Sequence, residues 1–255
     1  MVELKTEGEL DAMREAGRVV ARALSAMRRS AAVGVSLREL DQVARDVLAD
    51  HGATSPFLGY KPSFAPTPFP AVICASVNDA IVHAIPDSCR LVDGDVVSID
   101  FGAVLDGWVG DSAVTFTVGT ARPEDEKLIA ATEQALAAGT AAAVVGARIG
   151  DIGHAVGTIG RAAGYGIPRN FGGHGVGHHM HEDPHVPNTG RPGRGMQLRP
   201  GLVIAIEPMF MAGGSDDYTV DPDGWALRTV DGTRAAHAEH TVAVTESGPR
   251  ILTAL

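Results

Sequence analysis

"GDVVSIDFGAVLDGWVGDSAVTFTVG", residues 94–119, is a β-hairpin written out in full. Asp106-Gly107 is a strong two-residue turn signal, flanked by runs rich in Val, Ile, Phe and Thr. With that turn Leu105 faces Trp108, Gly102 lies opposite Asp111, and Asp100 lies opposite Ala113. Side chains two apart on a strand share a face. Asp100 and Asp111 therefore share one face as diagonal neighbours, roughly 7–8 Å apart between Cα atoms. Ser98, Gly102, Ala113 and Thr115 join them, all small. The other face holds Val97, Ile99, Phe101, Leu105, Trp108, Val114, Phe116 and Val118, and must be core. A three-residue turn would split the aspartates between faces, and this apolar sorting argues against it. Two carboxylates on one face, with no Lys or Arg in either strand, repel unless protonated or bridged by a cation. The alternative is a pair of solvated aspartates on an exposed sheet face.

Outward from the hairpin, the chain has 255 residues with 45% hydrophobic and 20% charged side chains, an ordinary globular balance. The net charge of −10 and the lack of a basic stripe exclude a nucleic-acid footprint. The two cysteines, Cys74 and Cys89, make no disulfide framework. No signal peptide or membrane-length apolar run occurs, so a cytoplasmic protein with no membrane partner is expected. Apolar spacing predicts a helix over 8–29. "SLRE" is a capping box that starts a second helix at Ser36, running to about His51. Further helices are expected over 122–146 and 151–163, and strands over 71–77, 95–105, 108–118, 202–211 and 237–245. "KPSFAPTPFP" (61–70), with four prolines, reads as an ordered or semi-rigid loop. The mixed order, without regular βαβ alternation, predicts an α+β fold with an antiparallel sheet. "DGW" recurs at 106–108 and 223–225, a weak hint of two similar halves.

Two more acids sit in apolar surroundings. Glu207 lies in "GLVIAIEPMF" and Glu239 heads "EHTVAVT". A carboxylate in a buried strand is costly without a partner. Arg194, Arg199 or Arg234 could pair with either; alternatively, four such acids build a metal cluster. In "NFGGHGVGHHMHEDPH" (170–185), glycines flank His174 and permit close backbone approach. "HEDPH" matches the zinc-protease helix pattern H-E-x-x-H literally. Pro184 inside it removes a backbone donor and disfavours helix at Asp183, so the match is accidental.

Five segments together, "SVNDAIVHAIPD", the 94–119 hairpin, "GGHGVGHHMHEDPHVPN", "GLVIAIEPMF" and "AEHTVAVTESG", resemble the type I methionine aminopeptidases of the pita-bread metallopeptidase superfamily, in that family's order and over essentially the whole chain. The resemblance implies a curved antiparallel sheet with pseudo-twofold halves covered by helices. It implies a single catalytic domain over residues 1–255, with the N-terminal helices (8–51) part of it. Asp100, Asp111, His174, Glu207 and Glu239 match the family's metal ligands. His83 and His181 match its substrate-contacting histidines, and Glu207 its proton acceptor. Cys74, Tyr60, Phe69, Met180 and Trp225 match the lining of a methionine pocket, with Phe57 a looser match. Met180 stands where many relatives have phenylalanine, and a thioether can fill that wall.

The implied cofactors are two divalent ions: Co, Mn, Fe or Zn, for which hard carboxylates with one nitrogen are suited. The implied substrates are nascent polypeptide N-termini and peptides beginning with Met, with transient ribosome contact and a monomeric state. Prolidases and aminopeptidase P-like enzymes keep the same five ligands but carry a substantial N-terminal domain, for which this chain has no room. Type II methionine aminopeptidases insert a helical segment between the ligand histidine and the next glutamate; here His174 and Glu207 are too close in sequence for it. A non-catalytic binding protein on the same fold would be expected to lose ligands, and all five residues are present.

Overall fold

The computed structural model describes residues 2–63 and 65–255. Among the described residues the helices are α1 (Glu7–Ser30), α2 (Leu37–Asp50), α3 (Pro123–Ala142) and α4 (Ile149–Ala162). The strands are β1 (Ile73–Val77), β2 (Ala80–Val82), β3 (Val96–Leu105), β4 (Trp108–Thr117), β5 (Gly172–Gly175), β6 (Glu182–Pro187), β7 (Val203–Ile206) and β8 (Met209–Met211), then β9 (Tyr218–Val220), β10 (Leu227–Thr229), β11 (Ala235–His237), β12 (Glu239–Thr245) and β13 (Gly248–Ile251). Both early helices start on capping boxes, Thr6/Glu9 and Ser36/Glu39, and each satisfies backbone donors that a helix start leaves orphaned.

The main sheet is antiparallel, in the order β1-β3-β4-β12-β7-β5-β6, with β13 added on β12. The β3–β4 hairpin has the two-residue register: Leu105 pairs with Trp108, Gly102 with Asp111 and Asp100 with Ala113. Its apolar face is buried except at Leu105 and Val114, which are half-buried. Val97, Ile99, Phe101, Phe116 and Val118 form one core cluster with Val20, Leu24 and Met27 of α1 and Leu40 of α2. A second cluster joins Leu128 and Leu136 of α3 and Ile152 and Val156 of α4 to Ile204, Ile206 and Val242 of the other half of the sheet. The halves thus repeat one plan, a helix pair packed on neighbouring strands. Trp108 departs from its hairpin neighbours. It belongs to a third cluster with Leu10, Met13 and Val176, and stacks on the His178 ring at 3.8 Å between centroids.

Two expected elements differ, and one region forms strands that were not expected. The stretch 202–211 is two strands, because Glu207-Pro208 interrupts pairing and Pro208 has no N–H to donate. The third helix stops at Ala142 instead of continuing to 146, ahead of the β-branched pair Val144-Val145. The Gly- and His-rich region, which lacks alternation, nevertheless contributes strands β5 and β6; "HEDPH" is therefore extended, not helical.

Candidate metal centre and substrate cavity

Five neighbouring strands each present one metal-binding side chain type at the same place. Asp100 comes from β3, Asp111 from β4, Glu239 from the start of β12, Glu207 from just beyond β7, and His174 from β5. All five line a single cavity of about 390 Å³. The His174 Nε2 lies 3.9 Å from Asp111 Oδ2 and 3.7 Å from Glu207 Oε1. The ligand atoms of Asp111, His174 and Glu239 lie within 4.8 Å of one another, and so do those of Glu207, His237 and Glu239. Glu239 is common to both groups.

Backbone constraints hold this cluster. Asp111 and Thr241 exchange two hydrogen bonds: Asp111 N–H donates to Thr241 Oγ1 (3.0 Å), and Thr241 Oγ1 donates to the Asp111 carbonyl (2.7 Å). Asn188 Nδ2 donates to the Glu207 carbonyl at 2.8 Å. The glycines beside His174 serve close approach, as the sequence suggested: a Cβ on Gly173 would stand 2.0 Å from the Ala205 carbonyl oxygen, and one on Gly175 2.1 Å from that of Asp183. His174 Nδ1 lies 2.9 Å from the Gly175 carbonyl, so it carries the proton and donates. Nε2 then presents its lone pair to the carboxylates, the tautomer a metal ligand needs.

The electrostatics are those of a site lacking a counter-charge. Burial first, then the Asp111 charge, holds the Asp100 carboxyl well above the usual carboxylate range. Burial followed by the neighbouring acids does the same for Glu207 and Glu239, and burial raises Asp111. Burial pushes His174 down to about 3 and His83 down to about 4, so both rings are neutral at ordinary pH. Arg234, one of the arginines that could have balanced them, pairs with Asp125 instead. Asp100 Oδ1, Asp111 Oδ1, Glu239 Oε1 and His237 Nε2 are buried with no hydrogen-bond partner among the described residues. Each such atom carries a desolvation cost of about 1–3 kcal/mol. Asp111, Glu239 and His237, with His174 and Glu207, form two overlapping groups whose ligand atoms lie close enough to share a cation, so the donor set fits divalent metal.

The residues expected around substrate converge on the same cavity. Cys74, Tyr60, Phe69, Met180, Trp225 and Phe57 line it, as do His83 and His181. Phe69 packs edge-on against Trp225 (5.0 Å) and Phe57 (6.4 Å). The proline-rich loop is tied down, with Gly59 N–H donating to Phe69 O and Phe69 N–H to Tyr60 O, both at 2.8 Å. Burial raises the Cys74 thiol, leaving it a neutral wall atom. His181 Nδ1 lies 2.9 Å from the Tyr60 hydroxyl, and its ring centroid 4.3 Å from that of His174. His83 follows β2 in a left-handed conformation, φ 63°, a strain of about 1–3 kcal/mol of the sort found at functional positions. Sequence reading did not single out His237, Asn170 or Phe171. His237 was detectable: it stands two residues before Glu239, where an extended chain returns to the same face. His178, without an expected role, buttresses Trp108 and places Nδ1 2.8 Å from the Gly107 carbonyl at the hairpin turn.

Residues 11–246 match metallopeptidase family M24. The chain belongs to metallopeptidase family M24. This M24 chain is 52% identical to "Methionine aminopeptidase 1" of Mycobacterium tuberculosis, over 99% of its own length and 95% of the relative's. Its fold is similar to that of a methionine aminopeptidase from Thermotoga maritima, with a TM-score of 0.95, 36% identity and full coverage of both chains. A prolidase from Pyrococcus horikoshii shares the fold at a TM-score of 0.77 and 23% identity; the M24 chain covers 98% of itself but 63% of the prolidase. The curved sheet with two helix-covered halves is the pita-bread fold of the family.

Proposed function

We propose that this M24 metallopeptidase removes N-terminal methionine from nascent polypeptides and peptides, acting as a single catalytic domain over residues 1–255 and as a monomer in the cytoplasm. The observation that carries the reading is the joining, in one cavity, of the five-residue donor cluster to a wall of Phe57, Tyr60, Phe69, Cys74, Met180 and Trp225. Such a wall suits an unbranched thioether side chain. Asp100, Asp111, His174, Glu207 and Glu239 would hold two divalent ions, of cobalt, manganese, iron or zinc. Bound there, the ions would supply Lewis acidity and acidify a nearby water.

The chain's own groups do the rest. Glu207, whose environment already favours a bound proton, accepts the proton of the attacking water. The Tyr60 hydroxyl donates to His181 Nδ1, so that His181 Nε2–H points at substrate. His83 and His181 then donate to the carbonyl oxygen and the departing amide as charge develops. The aromatic wall orients the first side chain and excludes water from it.

The test is release of free methionine from a Met-Gly-Met peptide, with and without a chelator. Chelator-sensitive release, restored by added divalent metal, is expected. Release indifferent to chelator refutes the metal reading. Absence of release under every metal tried refutes the activity.

A further inference from the structure

Beside the five donors already described, a second buried imidazole faces the same carboxylates. His237 is 2% exposed. Its Nε2 lies 3.5 Å from Glu207 Oε2 and 3.9 Å from Glu239 Oε2. That nitrogen is buried and has no hydrogen-bond partner among the described residues. Glu207 therefore stands between two imidazoles, Oε1 toward His174 and Oε2 toward His237. Ligands about 2.1 Å from one ion stand roughly 3.0–3.4 Å apart, so a small contraction would bring the His237, Glu207 and Glu239 atoms onto one cation.

The backbone of His237 is clamped for that role. Its N–H donates to Thr115 Oγ1 at 3.0 Å, and its carbonyl accepts from the same hydroxyl at 2.6 Å. Ser98 Oγ lies 2.6 Å from Thr115 Oγ1 and secures the bracket from β3. The two small hydroxyl side chains on the carboxylate face of the hairpin thus fix where the imidazole projects.

We propose that His237 Nε2 is a metal ligand, sharing with Glu207 and Glu239 one of the two divalent ions, so that this centre offers two imidazoles instead of one. The proposal rests on the two-ion reading above. Its chemical consequence is selectivity: a second nitrogen donor moves preference from oxygen-seeking manganese toward cobalt, zinc or iron.

The experiment uses the full chain, stripped by chelator and reloaded with cobalt(II). Proton NMR in water should show two strongly hyperfine-shifted, exchangeable imidazole N–H resonances, one of which disappears in His237→Gln. Calorimetric titration should show cobalt binding weakened at least about tenfold in that variant, on the scale of losses known around metal sites. A single shifted imidazole resonance in the parent protein overturns the proposal, whatever the variant's folding. Equal cobalt affinity in a His237→Gln variant with parental circular dichroism also overturns it. No cobalt uptake by the parent removes the two-ion reading itself, an outcome distinct from uptake with one imidazole.

Discussion

Asp100 and Asp111 are diagonal neighbours across the β3–β4 pair. Their geometry is set by the hairpin backbone, so changing one carboxylate alters charge and ligation without moving the fold. Asp100→Asn should weaken metal binding by more than about 100-fold, beyond the loss expected for an outer partner, while circular dichroism stays parental. Full methionine release by that variant would sink the site assignment. His181 has a different place in the proposed site, its ring centroid 4.3 Å from that of His174 and its Nδ1 beside the Tyr60 hydroxyl. His181→Ala should lower kcat by about 100-fold or more, with metal content unchanged, as for loss of a donor to developing charge. Loss of metal in that variant would make His181 a ligand. Tyr60→Phe should reproduce a weaker form of the kcat defect, because it frees His181 Nδ1 from its partner.

At the scale of elements, α1 crosses β4 at contact distance. A Cβ on Gly110 would stand 2.8 Å from Gly17 N, and one on Gly17 2.2 Å from the Leu252 carbonyl oxygen. Gly17→Ala should destabilise by about 1–3 kcal/mol, overriding the gain of about 1 kcal/mol that alanine brings to a helix. Gly8→Ala in the same helix has open space around it and should be neutral or stabilising; thermal melts of both variants check the contrast. The hairpin was legible from sequence because a two-residue turn and strict alternation leave one register. Glu207 and Glu239 stood out by contrast with apolar neighbours. Strands β5 and β6 were not legible, since glycine and histidine carry no alternation and their pairing is decided by distant strands. The α1 approach was equally hidden, because a glycine in a helix reads as weakness until the surface it meets is known.

For the molecule as a whole, the cluster ties stability to pH and metal. Asp100, Asp111, Glu207 and Glu239 have folded-state affinities for protons raised by burial. Acids shifted upward stabilise at low pH, and that stability is lost as pH rises through their folded values. The buried histidines act in the opposite sense: His83, His174 and His237 are pushed down to about 4, 3 and 3 from 6.5, so they lose stability as pH falls below 6.5. Above pH 6.5 the histidines are neutral in both states and the acids alone decide. The Tm of the chelated protein should therefore fall as pH rises from about 6.5 to 8, and added divalent metal should remove that fall. A Tm of the chelated protein that stays constant over that range would contradict the charge arrangement.

The mutual hydrogen bonds of Asp111 and Thr241 bridge 130 positions of chain. That separation has a consequence during synthesis. Contacts so distant in sequence close slowly and late. Until β12 has left the ribosome and docked beside β4, Glu239 is absent and neither group of ligand atoms is complete. If these groups hold the metal as proposed, a partly made copy of this chain is inert, and hydrolytic competence arrives in one step, with the docking of β12.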